Sequence, residues 1–364
     1  MNIIISQLEN LILNGTSFRL IPEKAKTQVD IDGMLVGANG RFMVNSKDAM
    51  FLIENSDLRK HLGETAYRSL LKKPLIIFTM PTSDEEFVTN PSSLEMQYGT
   101  IALHLSNFAQ MFSIGCWLIK DSCITAKHTY WTNLFNHYYC NYHRDISCTM
   151  SDGTVSQISL TDSEVLEALQ MTHEVDDYLS PNESKMGKII VTHSGNILFW
   201  NIDRAISNIK KEGNSFSKAL VFLQEARNTG ILPSKIEKYC SILECLFAID
   251  DKGIKKWLST ITASYLGTDN ISREEIRLNM VHAYSIRSES IHGDNIKYLQ
   301  KHPEIKTEEL STILDNYVRN VFKKIFTEKS LNYSASSQDK TRVKKHFQEL
   351  ATTFYPKESQ QKSI

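Results

Sequence analysis

The sequence predicts a mainly α chain. An α+β N-terminal domain covers residues 1–195, an antiparallel helical bundle covers 196–330, and a basic linker and tail helix cover 331–364. Three observations predict this. The first half holds short apolar runs rich in β-branched and aromatic residues. After about residue 200, apolar positions recur at helical spacing between short loops. The polar, small-residue stretch SASSQDK at 334–340 then reads as a linker, and residues 331–364 carry six Lys/Arg against three Asp/Glu.

Size and composition bound the rest. With 364 residues, 41% of them hydrophobic, the chain can bury a core and is long enough for two domains. Its 41 basic side chains nearly balance 42 acidic ones, so any contact with nucleic acid must come from a local patch. The three isoleucines of MNIIISQLEN have no basic residues before them and are too short a run for a signal peptide. No segment approaches ~18 continuous apolar residues, so a cytoplasmic protein without membrane contact is expected.

The six cysteines are Cys116, Cys123, Cys140, Cys148, Cys240 and Cys245, and no CxxC pair occurs. Reduced, structural thiols are expected in a chain this large. The alternative is a metal cluster in CNYHRDISC, where Cys140, His143 and Cys148 are neighbours and His137 lies just upstream. It lacks the paired spacing of structural zinc sites. No metal and no cofactor are therefore expected.

In order along the chain, LIIFTM (75–80), KIIVTH (188–193) and ILFW (197–200) read as strands. IALHLSNFAQMFSIGCWLI (101–119) reads as a buried helix. CTMSDGTVSQISL (148–160) has Asp152-Gly153 between alternating segments, a hairpin signal. Thr161 with Glu164 forms a capping box for a helix running to about Leu179. HYYCNYHR (137–144) reads as a half-buried strand in preference to a base-stacking surface. No nucleotide loop, nucleophile elbow or metalloprotease motif occurs in this half, so an unrelated enzyme there is disfavoured.

The second half is read as successive helices. RAISNIKKEG and FSKALVFLQEARNTG come first, the latter stopping at Gly230. Ser234 with Glu237, after Pro233, is expected to cap KIEKYCSILECLFAI. A helix over about 252–266 closes at Gly267. Ser272 with Glu275 is expected to cap REEIRLNMVHAYSIRSESIH, which halts at Gly293. A last bundle helix over about 307–327 lines up Leu310, Ile313, Leu314, Val318, Val321 and Phe322.

One stretch in this half carries possible chemistry. SIRSESIHGD places Arg287 and His292 five residues apart, with Gly293 next. The same spacing recurs at Arg277 and His282, so spacing alone decides nothing. Residues five apart on a helix are separated by about 140° around the axis. Arg277 and His282 are mid-helix and expected on different faces. Arg287 and His292 lie where the helix unwinds at Gly293, which can bring the imidazole back toward the guanidinium. A histidine at a helix C-terminus also meets the negative end of the dipole, which serves a structural cap equally well.

A second feature sharpens the choice. In YCSILECLFAI (239–249), Glu244 and Ser241 are the two non-apolar residues, beside the stripe Tyr239, Ile242, Leu243, Leu246, Phe247. A carboxylate buried there needs a partner. Arg287 is the expected one, its planar fork suited to a bidentate contact. The alternative is Glu244 pointing outward beside the core stripe.

ILECLF, followed some 40 residues later by AYSIRSESIHGD, resembles the Apea-like branch of HEPN domains, over about residues 200–328. That branch carries a glutamate before Leu-Phe and an Arg-Ser-x-x-x-His-Gly ending. Many HEPN nucleases have Asn or Asp directly after the arginine, where this chain has Ser288. The resemblance implies a helical bundle that homodimerises with its Arg–His motifs face to face, and metal-independent cleavage of RNA, transfer RNA among the candidate substrates. It assigns catalysis to Arg287 and His292, with Glu244, Tyr284, Ser288 and Gly293 in support. An imidazole can move the proton of a ribose 2′-OH, and an arginine can stabilise charge on phosphoryl oxygens. Lys297, Lys301 and His302 after the motif, with Lys323 and Lys324 on the last bundle helix, are the local cations for RNA, or else ordinary solvated side chains. A bacterial toxin or antiphage-defence role, with the N-terminal domain sensing a trigger or an antitoxin partner, is also implied. The competing expectation is a HEPN module without catalysis, serving binding or dimerisation.

Overall fold

The three isoleucines near the N-terminus have a structural use that the sequence reading passed over. Consecutive β-branched residues favour extended backbone, and a strand apolar on both faces suits the middle of a covered sheet. In the computed structural model, which describes residues 2–14, 27–31, 34–43, 53–80, 91–133, 139–143, 146–179, 214–249, 253–291, 296–333 and 337–355, that run lies in β1 (Asn2–Glu9). Helices dominate the chain, and the sheet lies towards its N-terminus.

The chain divides into two units, one of residues 1–148 and 155–175, the other of 149–154 and 176–364. The first holds a six-stranded antiparallel sheet in the order β3-β4-β5-β1-β6-β7. Its other strands are β3 (Thr27–Ile31), β4 (Met34–Met43), β5 (Leu75–Met80), β6 (Thr125–Asn133) and β7 (Tyr139–His143). Ile3 and Ile5 pack with Leu58 of α1 (Leu58–Leu62) and with Tyr67 and Leu70 of α2 (Glu64–Leu71). On the other side of β1, Ile4 and Ser6 face Trp131 and Thr129, and the Thr129 hydroxyl donates to Ser6 Oγ at 3.1 Å. The 75–80 run is a strand, as its composition predicts. The expected strands 188–193 and 197–200 lie outside the described residues, as does the segment RAISNIKKEG.

The apolar 101–119 run is helical but belongs to a longer helix, α3 (Pro91–Ile119), which packs on β1 and β6. Pro91 opens it, where a missing N–H costs nothing. A Cβ at Gly115 would lie 2.2 Å from the Ala168 carbonyl of α4 (Asp162–Leu179), so this residue sets the closest approach of α3 and α4. The predicted capping box of α4 is present: Thr161 N–H donates to Glu164 Oε2 at 2.8 Å, and Glu164 N–H to Thr161 Oγ1 at 3.3 Å.

The 148–160 hairpin does not form. Asp152-Gly153 does make a turn, closed by Met150 N–H to the Thr154 carbonyl at 2.7 Å. The flanks of the turn, however, are not paired strands. Thr149 instead donates its N–H to the Arg227 carbonyl and its hydroxyl to the Thr229 carbonyl, which removes it from any ladder. β8 (Ile158–Leu160) pairs in parallel with β2 (Leu11–Leu13).

The second unit is a set of packed helices. They are α5 (Ser215–Asn228), α6 (Leu232–Leu246), α7 (Ile254–Leu266), α8 (Asn270–Ile291), α9 (Lys297–Lys301), α10 (Thr307–Glu328) and α11 (Ser337–Phe354). The α6 helix touches α5, α7, α8 and α10, and its stripe Tyr239, Ile242, Leu243, Leu246, with Phe247 after it, is buried. Leu310, Leu314, Val318, Val321 and Phe322 are the buried face of α10.

Two helix starts differ from expectation. Ser234 is not the cap of α6, which begins two residues earlier with Ile231 in the cap position and Pro233 in its first turn. Ser272 does not cap with Glu275. It pairs backwards with Asp269, whose Oδ1 accepts the Ser272 N–H at 2.8 Å while Ser272 Oγ accepts the Asp269 N–H. A carboxylate one turn earlier outcompetes a hydroxyl for the free N–H groups.

The expected linker residues 337–340 are the first turn of α11. Val343, Phe347 and Ala351 recur every four residues, and burying that stripe outweighs the polarity of the start. Phe347 lies 4.6 Å from the Phe247 ring and 5.2 Å from the Tyr265 ring, centroid to centroid, so the tail is part of the helical core. No disulfide links the described cysteines. No described helix is long and apolar enough to cross a membrane.

Candidate active site

The 239–249 run, which begins in the second half of α6, is apolar but for Ser241 and Glu244, and α6 is packed among its neighbours, which makes Glu244 conspicuous. Its side chain is 15% exposed, and that of Arg287 on α8 is 18% exposed. Arg287 Nη2 donates to Glu244 Oε2 at 2.9 Å. The contact is single, not the two-pronged one expected. Glu244 Oε1 and Arg287 Nε are both buried and have no hydrogen-bond partner among the described residues. Burial pushes the Glu244 carboxyl above its ordinary range, and the Arg287 charge works against that rise.

Tyr284, one turn before Arg287, completes the surroundings of the guanidinium. Its hydroxyl accepts from Arg287 Nη1 at 3.3 Å, and the guanidinium carbon lies 5.1 Å from the ring centroid. Arg287 is therefore fixed from one side by a carboxylate and from another by an aromatic face. Cys240, one turn before Glu244, is fully buried, and burial pushes its thiol well above the usual range. It is a packing residue. Ser288 is exposed. His292 and Gly293, and with them the expected end of α8, lie outside the described residues.

The second Arg–His pair behaves differently. Arg277 donates from Nε and Nη2 to both carboxylate oxygens of Glu274, at 2.8 and 2.5 Å, on its own helix. His282 instead meets the Tyr298 hydroxyl at 2.7 Å through Nδ1. The two side chains have separate partners, in keeping with the 140° between them.

Among the expected RNA-facing cations, Lys297 and Lys301 are exposed on α9 and Lys323 is half-buried on α10. Lys324 has an internal task. Its ammonium donates to the Tyr265 carbonyl at 2.6 Å and sits 4.3 Å from that ring, closing the last turn of α7. His302 meets Glu304 Oε1 at 3.0 Å through Nδ1.

The sequence reading missed the cluster that joins α9 to α8. Tyr298 N–H donates to Glu289 Oε2 at 2.8 Å, and the Tyr298 ring lies 4.4 Å from that of His302. Its members have no common period, so no pattern marked them. His282 and His302 were each visible in the sequence, but nothing there joined them to Tyr298 and Glu289. Known protein families, curated proteins and solved structures were compared with the chain, and none of them matches it.

Proposed function

We propose that the chain is an endoribonuclease of the HEPN type that cuts RNA without a metal, as a homodimer pairing two Arg287–His292 motifs. One observation carries the reading. The arginine of the motif is held at the end of α8 by Glu244, the one carboxylate of the apolar 239–249 run, with a buried Nε–H unmatched among the described residues. A guanidinium fixed this way is preorganised for an anionic oxygen.

The proposed step is a transesterification. His292 takes the proton of a ribose 2′-OH, whose oxygen attacks the adjacent phosphorus. The bond from phosphorus to the 5′-oxygen breaks, and that oxygen takes a proton from the His292 of the second copy. Arg287 donates to the non-bridging oxygens as charge builds on them. The products are a 2′,3′-cyclic phosphate and a 5′-hydroxyl. Dependence on the 2′-OH explains a preference for RNA over DNA. In a toxin or antiphage-defence setting, the N-terminal unit is the sensor that releases this activity.

The test uses the full chain with total RNA in EDTA, beside Arg287→Ala and His292→Ala. Cleavage leaving 2′,3′-cyclic ends and lost in both variants supports the reading. Strict metal dependence, or equal activity in the variants, overturns the proposed route. A helical unit freed of the N-terminal unit that still leaves RNA uncut favours a HEPN module without catalysis.

A further inference from the structure

The short helix α9 buries none of its residues fully, so the core does not explain why it lies along α8. Polar contacts hold it. Glu289 of α8 accepts the Tyr298 N–H, and His282 of α8 meets the Tyr298 hydroxyl. The three rings His282, Tyr298 and His302 gather within 4.4 to 6.1 Å of one another, centroid to centroid. All three are half-buried. Lys297 and Lys301 are exposed on the same five-residue helix, and Lys255 reaches α8 by donating to Ser285 Oγ at 2.9 Å. The carboxylates of the cluster are Glu289, engaged by the α9 backbone, and Glu304, engaged by His302.

Half-exposed rings on a helix that also carries two exposed lysines offer the chemistry that single-stranded nucleic acid needs. Each base offers a face for stacking, and each phosphate offers a charge. His282 lies five residues before Arg287 on the same helix, about 7.5 Å along its axis and about 140° around it, so the rings and the guanidinium occupy different faces of α8. We infer that Tyr298 and His302, with Lys255, Lys297 and Lys301, form a docking platform for an unpaired stretch of RNA, which is held against another face of the helix that carries Arg287. The inference deepens the nuclease reading and rests on it for the identity of the ligand. Burial lowers the His282 pKa, the charge of His302 lowers it further, Glu304 opposes and Lys255 adds to the fall.

The experiment measures fluorescence anisotropy of a short 2′-O-methyl oligouridine with the full chain. This probe has no free 2′-hydroxyl and so cannot be cut by the proposed route. Tyr298→Leu is expected to weaken binding by about fivefold to a hundredfold, the range for loss of one stacked base. Tyr298→Phe keeps the ring and should bind like the wild type. Lys297→Ala with Lys301→Ala should reduce the salt slope by about 1.4 for two phosphate contacts to a single strand. Because α9 buries no residue fully, these variants are expected to keep their circular dichroism and unfolding midpoints.

No binding by the wild type, or unchanged binding in Tyr298→Leu, overturns the platform. Equal loss in Tyr298→Phe and Tyr298→Leu also overturns it, by showing that the hydroxyl bond to His282 matters and not stacking. The two readings fail separately. Tyr298-dependent binding without any RNA cleavage removes the nuclease and keeps the platform. Arg287-dependent cleavage with binding indifferent to Tyr298 removes the platform and keeps the nuclease.

Discussion

Arg287 holds Glu244 by one hydrogen bond of 2.9 Å, leaving a carboxylate oxygen and a guanidinium N–H buried and unmatched among the described residues. Fully satisfied buried pairs mainly lock a fold in place. This one is incompletely satisfied among the described residues, and the unmatched N–H belongs to the arginine that we propose meets phosphate. Four predictions follow from this pair and from the packing around it.

The first concerns pH. Glu244 has a folded pKa raised above its unfolded value near 4.5. The folded state therefore holds the proton more tightly, so its stabilising contribution is complete below that value and is lost as pH rises through the folded pKa. Arg287 offsets part of this loss. Arg287→Ala should lower stability by roughly 1–3 kcal/mol at pH 8, and by much less at pH 4.5. Urea unfolding of both chains at the two pH values checks it. A difference independent of pH would mean that Glu244 is not the group responsible.

The second separates positioning from charge in the cleavage assay. Glu244→Gln keeps an acceptor for Arg287 Nη2 and should retain most activity. Glu244→Ala releases the guanidinium, and cleavage should fall about a hundredfold, as a displacement of roughly 1 Å can cost. Arg277→Ala removes only a surface pair with Glu274 and should cleave like the wild type. If Ala and Gln at 244 behave alike, Glu244 does not position Arg287.

The third addresses the tail. Phe347 is fully buried between Phe247 and Tyr265. Phe347→Ala should destabilise the helical unit by about 3–5 kcal/mol, and removal of residues 331–364 should cost more. Chemical denaturation with a tryptophan signal would show it. An unchanged midpoint would make the tail an ornament on the bundle.

The fourth follows His282. Its folded pKa is depressed below the unfolded value of 6.5, first by burial and then by His302. The neutral ring is favoured in the fold, so its contribution is present above that value and is lost as pH falls through the folded pKa. His302→Ala should move the His282 titration upward, read from its imidazole proton shifts by NMR. No movement would show that the two rings do not sense each other.

Some of this was legible in the sequence for definite physical reasons. A carboxylate set alone in the apolar 239–249 run requires a partner, and Arg287 was the cation placed to supply it. The Thr161–Glu164 box is local, so three residues suffice to read it. Other features depended on distant groups. Single or double contact at Glu244 is set by the rotation of α6 against α8, which no pattern records. The parallel pairing of β2 with β8 joins residues nearly 150 positions apart. The cap at Asp269 was missed because two capping residues compete within one turn, and their hydrogen bonds decide the winner.

The turn at 149–154 has a consequence for how the chain is made. Its contacts lie with the helical unit: Thr149 on the Arg227 and Thr229 carbonyls, and the Ser151 carbonyl accepting from Ser311, 160 residues later. At the usual 5–20 residues per second, synthesis of that interval takes about 8–30 s. The carbonyls of Arg227 and Thr229 are made half-way through that time, while Ser311 comes only at its end. A nascent chain thus carries its own placeholder, a mostly polar turn of six residues whose last partners come with α10. A gene cut at residue 176 would discard it, and a cut at 149 would keep it.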